Sequence, residues 1–268
     1  MTQDTPADPA TAPDKSPDTN PETAPETAQD TAPDATRDDA AERAADVPLK
    51  AILFGAIGSV TETSEIQREA YNRAFHDAGL DWEWDAYDYL EMLEEPGGRE
   101  RIARFAEARG EEVDVTALHD AKVAHFEDLV MEKEILPRPG VRELIDWAQA
   151  EGIKLGFATT TSPGTVSLIL GGLAPEVLRS DFDFIGNRSH VETPKPAPDI
   201  YEYALESLGV IPDAAIAIED TPESARAARA AGLRVLGFPG AAAAHRDFPE
   251  GVEVVHQLTQ DLFVPEEA

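Results

Sequence analysis

Two adjacent acids, Glu219 and Asp220, close the apolar run AIAIED. Carboxylates at the end of a strand expected to be buried are costly unless they bind a cation or meet donors. Mg2+ carrying waters and phosphate oxygens suits them. Pairing with Lys195, or capping the helix that starts at Pro222, is the plainer alternative, and the two can coexist. Lys195 lies in TPKPAPDIY, where flanking prolines stiffen the loop. A lysine held on a stiff loop can neutralise a phosphate or pair with carboxylates at small entropic cost. Thr159, Thr160, Thr161 and Ser162 offer adjacent hydroxyls and backbone donors ahead of a helix starting at Pro163. That arrangement suits a phosphate oxygen, and Ser162 before a proline equally suits ordinary helix capping.

A fourth piece is the stretch PLKAILFGAIGSVTETSEIQREAYN, residues 48–72. A short apolar strand ends at Phe54, a loop turns on Gly55 and Gly58, and a helix follows from about Thr63. Strand, glycine loop and helix together form a common setting for phosphate chemistry, because loop N–H groups converge on an anion. Yet between Phe54 and Thr63 there is no Asp, Cys or His, and Glu62 is the only ionisable side chain. The loop has the shape of a catalytic site and little of its chemistry.

These pieces need a frame that brings them together. From Pro139-Gly140 onward the pattern alternates helix and strand. Helices are expected at 141–151, 163–171, 198–208 and 222–231, and strands at 154–159, 182–185, 214–218 and 234–238, with 252–256 a last short strand. Short apolar strands separated by amphipathic helices predict a doubly wound parallel α/β sheet with helices on both faces. Ligands in such sheets bind beyond the carboxyl ends of the strands. Those ends carry Gly55–Thr61, Thr159–Thr161, the Lys195 loop and Glu219–Thr221, so the convergence follows from topology. Residues 63–136 read as an all-helical insert. Apolar spacing at Ile66, Ala70, Tyr71, Ala74 and Phe75 marks its first helix, and further helices are expected at 99–108 and 114–134. The organisation is therefore a tail at 1–47, a core at 48–62 and 137–264, and a helical cap at 63–136.

Residues 1–47 repeat TAPD, TAPE and TAPD among Pro, Thr, Ala and acids, with no aromatic. They cannot bury enough surface to offset their ordering entropy, so a disordered acidic tail is expected, with a transient helix at 36–46. Net charge is −31, and the tail accounts for 12 acids against 3 bases, leaving 41 against 19 elsewhere. Such a surface repels nucleic acid and anionic membranes. No cysteine is present, which excludes disulfides, thiol catalysis and Cys-ligated zinc. No apolar run reaches the ~20 residues of a membrane span. The N-terminus also lacks the basic start and apolar middle of a signal peptide, so a cytoplasmic location is expected. The six histidines are scattered without ligand spacing; Trp82 and Trp84 could line a sugar pocket, but aromatics in a small helical segment are more often core.

With these stretches in view, the sequence resembles the haloacid dehalogenase (HAD) superfamily of phosphatases, in the subgroup with a helical cap after the first strand. The likeness is carried by ETSEIQREAYNRAFHDAGLDWEWD, GGRERIARF, GFATTTS, KPAPDIYEYAL and IAIEDTPESARAARAAG, and covers Pro48 to Phe263. It is strongest to phosphatases acting on xylulose-1,5-bisphosphate, with beta-phosphoglucomutase-like proteins beside them. The resemblance implies a first loop F-D-x-D-G-T-L, in which one Asp is the phosphoryl-accepting nucleophile and Mg2+ ligand and the next is the general acid/base. Here those positions are Gly55 and Ile57, while Gly58 is kept and Ser59 stands for Thr. It further implies phosphate binding by Gly58, Ser59, Thr159, Thr160 and Lys195, and metal binding by Glu219 and Asp220. Glu62, Gln67, Gly97, Gly98 and Arg99 fall on substrate and cap positions, with Arg99 for a family Lys and Gln67 for a frequent His.

Covalent phosphoryl transfer needs an oxygen nucleophile, and Gly55 has none. Ile57 cannot move a proton, and loss of a general base alone removes about 10²–10⁴ in rate. Mg2+ binding is expected but weakened by the missing first-loop carboxylate. The leading expectation is a non-catalytic, phosphatase-like protein that binds a phosphorylated sugar or a protein partner. The alternative is an active phosphosugar hydrolase with an altered, Mg2+-assisted mechanism.

Overall fold

Five of the six strands are short, largely apolar runs that end where a polar or glycine residue interrupts them, and the last is a two-residue exposed edge. β1 (Ala51–Phe54), β2 (Lys154–Ala158), β3 (Phe184–Gly186), β4 (Ala215–Glu219), β5 (Arg234–Gly237) and β6 (Glu253–Val254) were traced in a computed structural model, which describes residues 47–95 and 97–264. The readings made for residues 1–46 lie outside this range. All six strands pair in parallel in the order β3-β2-β1-β4-β5-β6. This is the doubly wound sheet expected from the pattern, with β1 at its centre.

Successive residues of a strand face opposite sides of a sheet, and β1 builds two cores in this way. Ile52 and Phe54 pack with Phe157, Ile218, Val141, Leu144 and Ile169 on one face. Ala51 and Leu53 pack with Tyr201, Ala204, Ala217 and Ala225 on the other. The covering helices are α5 (Val141–Ala150), α6 (Pro163–Gly172), α7 (Asp199–Leu208) and α8 (Pro222–Ala230). Their starts are fixed locally: Ser162 accepts the Thr165 amide at 3.1 Å, and Thr221 accepts that of Ser224 at 3.4 Å. Proline follows each cap, with its φ already set for a helix.

Between β1 and α5 run α1 (Ser64–Asp77), α2 (Ala86–Met92), α3 (Gly98–Arg109) and α4 (Val115–Glu132). They enclose a third core of Tyr71, Phe75, Trp82, Trp84, Tyr89, Ile102 and Leu118. Its aromatic rings meet mostly edge to face or tilted, as at Phe75–Trp84, 4.8 Å between centroids, with Trp84 and Tyr89 stacked. Such geometry adds to simple burial. Trp82 and Trp84 are 3% and 1% exposed, so they line no sugar site.

Most strand and helix ends fall within two residues of the periodicity. Two features were not legible: the helix Ala86–Met92, and Ile57–Ser59, which coils into a single 3-10 turn inside the glycine loop. Among the described residues no helix is long and apolar enough to cross a membrane.

Candidate functional site

The carboxyl ends of β1, β2 and β4 meet at one crevice because the three strands are adjacent and parallel. Lys195 reaches in from the loop before α7. Its ammonium donates to the Gly55 carbonyl, to Tyr201 Oη at 2.7 Å and to Glu219 Oε1 at 2.8 Å. The side chains of Lys195 and Glu219 are 8% and 0% exposed. Burial lowers the pKa of Lys195 against the opposing pull of Glu219. The Glu219 carboxyl is pushed up to about 7 by burial, with Asp220 adding repulsion and Lys195 holding it back. Asp220 is also raised, chiefly by burial. The lysine's three N–H donors are thus all engaged by protein oxygens.

The space beside Gly55 is itself filled. A β-carbon built on Gly55 would lie 2.0 Å from Tyr201 Oη and 2.2 Å from Glu219 Oε1. At Gly58 it would lie 1.9 Å from an Asp220 oxygen. Glycine at these two positions lets the loop lie directly on the acidic pair.

Several expected site residues have local partners. Ser59 donates its hydroxyl to Ala56 O at 2.6 Å, which closes the 3-10 turn. Thr159 donates to Thr161 Oγ1 at 3.0 Å and accepts the Thr161 amide. Glu62 accepts the Ser64 and Ala241 amides, both at 2.8 Å. Burial raises the Glu62 pKa, but these bonds and the charge of Arg138 outweigh that and hold it below the usual value. A carboxylate so engaged is a poor general base. Thr160 lies beside Thr159 in the same loop. Gln67, Gly97, Gly98 and Arg99 belong to the helical segment instead. Gly97 has φ +102° and precedes α3, and the Arg99 guanidinium lies 3.3 Å from Asp120 on the surface.

Sequence reasoning missed Arg138 and Tyr201. Arg138 donates to Gly58 O, Phe238 O and Pro239 O, each at 2.7 Å, and stacks on the Phe238 ring. It ties the β1 loop to the loop after β5. Its place in LPRPG, between two prolines as Lys195 is, was the available signal. Arg138→Met is expected to cost about 2 kcal/mol or more in a urea melt, since three carbonyls, two of them on buried residues, lose a charged donor. Arg138→Lys should recover only part, because an ammonium cannot span the fork.

The fit of a divalent cation rests on two atoms. Glu219 Oε2 and Asp220 Oδ1 are buried without a hydrogen-bond partner. Among the described residues no group of three or more His, Cys, Asp or Glu gathers to hold a metal. Two carboxylates with free oxygens fit Mg2+, which keeps several waters and shares its shell with phosphate.

The family model for haloacid dehalogenase-like hydrolases matches residues 40–232. Protein CbbY of Cereibacter sphaeroides is 41% identical over 203 residues, 75% of this chain and 88% of that protein. A phosphorylated carbohydrates phosphatase of Thermotoga maritima is 28% identical over 191 residues, 70% of this chain and 85% of the relative. The crystal structure of a CbbY variant from Rhodobacter sphaeroides in complex with xylulose-(1,5)bisphosphate superposes with a TM-score of 0.67 at 39% identity. It covers 78% of this chain and 94% of its own. On sequence and on fold, this chain belongs to the haloacid dehalogenase-like hydrolase family.

Proposed function

We propose that this chain takes a phosphorylated sugar in the crevice formed by the β1, β2 and β4 loops, and that the aspartyl-phosphate route is closed to it. The observation that carries this reading is the contact of Lys195 with the Gly55 carbonyl, at a position where no side-chain oxygen exists. A backbone carbonyl accepts a hydrogen bond but cannot form and release a phosphoryl ester. Thr159–Ser162 at the start of α6, with the positive charge of Lys195 in the same crevice, supports recognition of a phosphate dianion. Mg2+ would be held by Glu219 Oε2 and Asp220 Oδ1, where it would supply charge neutralisation for the phosphate.

A second reading is hydrolysis of a phosphosugar by direct attack of water, and the comparisons weigh on its side. The matched family is one of hydrolases, and a relative is described as a phosphorylated carbohydrates phosphatase. One set of measurements separates the two. Calorimetry of the full chain with xylulose-5-phosphate and other sugar phosphates, with and without Mg2+, is expected to show binding. Its absence throughout would sink the ligand assignment. Phosphate release above an Asp220→Asn control would establish hydrolysis, and equal background in both would leave binding as the function.

A further inference from the structure

Residues 239–246 tie the helical cap to the core. They follow β5, so they leave the same sheet edge as the crevice loops. The stretch reads PGAAAAHR, with small side chains between a stiff start and a cationic end. Its start is pinned twice. Arg138 binds Phe238 O and Pro239 O, and Glu62 accepts the Ala241 amide at 2.8 Å. A β-carbon on Gly240 would lie 2.9 Å from Glu62 Oε2, so glycine lets the chain pass against that carboxylate. The turn Ala241–Ala243 then packs on α2, with Ala243 buried. Alanine side chains are short enough for this close approach.

The end of the stretch reaches in two directions. His245 Nε2 donates to Glu94 Oε1 at 3.0 Å, and Glu94 lies two residues past α2. Arg246, the next residue, binds Glu223 in the first turn of α8. Two neighbouring side chains thus hold acids from separate parts of the fold, one on the cap and one on the core. The covalent linkers alone leave a rotation open. They run side by side: the Arg138 amide donates to Val60 O and Thr61 Oγ1 donates to Leu136 O, each at 2.8 Å. Two segments joined in this way act as one hinge. α4 packs on α6, whereas α2 meets the core through the 241–243 turn and through His245. A tie away from the linkers is what a rotation about them must break.

We propose that residues 239–246 are a strap that holds the cap at the crevice edge in the ligand-free chain, with His245 as its positioning residue acting through Glu94. The gap between cap and crevice is then set by a loop of the core, before any ligand enters.

The test is a distance measurement between paired spin labels. The chain has no cysteine, so Tyr87→Cys on α2 and Ile211→Cys ahead of β4 take labels with nothing else modified; these residues are 70% and 60% exposed. The full chain so labelled should give one narrow distance distribution. His245→Glu sets two carboxylates against each other, and the population at that distance relative to longer ones should fall by about 5-fold or more. Glu94→Lys should loosen the cap from the other side of the same contact. The exchanged pair, His245→Glu with Glu94→Lys, should restore the narrow distribution. Both residues are more than half exposed, so the cores stay intact, which circular dichroism checks. Identical distributions in all four proteins, a broad one in the parent, or a loosening that the exchanged pair fails to reverse would each overturn the strap. Calorimetry reads the consequence for binding, and this part rests on the proposed phosphosugar function. His245→Glu should weaken xylulose-5-phosphate by about 3-fold and leave inorganic phosphate, which needs only the core loops, unchanged. Binding of neither ligand by the parent would end the phosphosugar reading while the distances still decide the strap. An equal loss for both ligands would place the effect of His245 on the core loops and overturn its role through the cap.

Discussion

Gly55→Asp combined with Ile57→Asp is expected to turn this chain into an Mg2+-dependent phosphosugar phosphatase. Phosphate release should exceed that of the starting protein by at least the ~10²–10⁴ that a general base contributes, because the nucleophile returns as well. The same substitution should destabilise the protein in chelator. The new β-carbon enters space held by Tyr201 Oη and Glu219 Oε1, so both must retreat. The new carboxylate then joins Glu219 and Asp220, whose pKa values are already raised. Three acids against Lys195 repel one another, and a cost of roughly 1–4 kcal/mol is expected without metal. Mg2+ should recover it, since the cation binds the folded state alone. Melting curves with EDTA and with Mg2+, beside a phosphate-release assay, check both halves. A double variant that gains Mg2+-dependent stability yet releases no phosphate would show that the loss at 55 and 57 is not what limits catalysis.

The sheet was legible because its central strands are apolar runs bounded by turn residues, and parallel order then fixed which loops share an edge. Glu219, Lys195 and Thr159 could be placed together on that ground alone. The pairing of Lys195 with Glu219, first weighed as the plain alternative to metal binding, is present at 2.8 Å. What could not be read was how side chains from distant segments fill one space. Tyr201 has the spacing of a core residue with Ile200, Ala204, Leu205 and Leu208, and only packing turns its hydroxyl toward Gly55. The contact of buried Lys122 with Gln67 did leave a signal. Leu118, Lys122, Phe126 and Leu129 follow the buried stripe of α4, so a lysine occupies an apolar position. Its acceptor is 55 residues away in sequence, and no local pattern reports that distance. The 3-10 turn at 57–59 depends on the Ser59 hydroxyl bonding back to Ala56, a side-chain choice that periodicity does not encode.

Lys195→Met is expected to lower stability by about 3–5 kcal/mol, the usual cost of breaking a buried pair from one side. The loss comes less from the attraction removed than from what is left behind. Glu219 would remain fully buried beside Asp220 with no cation, while Gly55 O and Tyr201 Oη would lose their donor. Glu219→Gln added to Lys195→Met should therefore regain much of the stability, because the stranded charge is gone. In chelator, pH provides an independent check. A folded-state pKa near 7, above the free value of 4.5, means that the folded protein holds the Glu219 proton more tightly than the unfolded chain. That contribution is fully present below about 4.5 and is lost as pH rises through 7. Wild-type stability should fall across this window, and Lys195→Met should fall more steeply and to higher pH, since the cation that restrains the shift is absent. Glu219→Gln should flatten the slope. Urea melts from pH 4.5 to 8 would decide it: a Lys195→Met variant as stable as wild type at pH 8 would mean that the pair carries no net weight and that water reaches Glu219 once the lysine is gone.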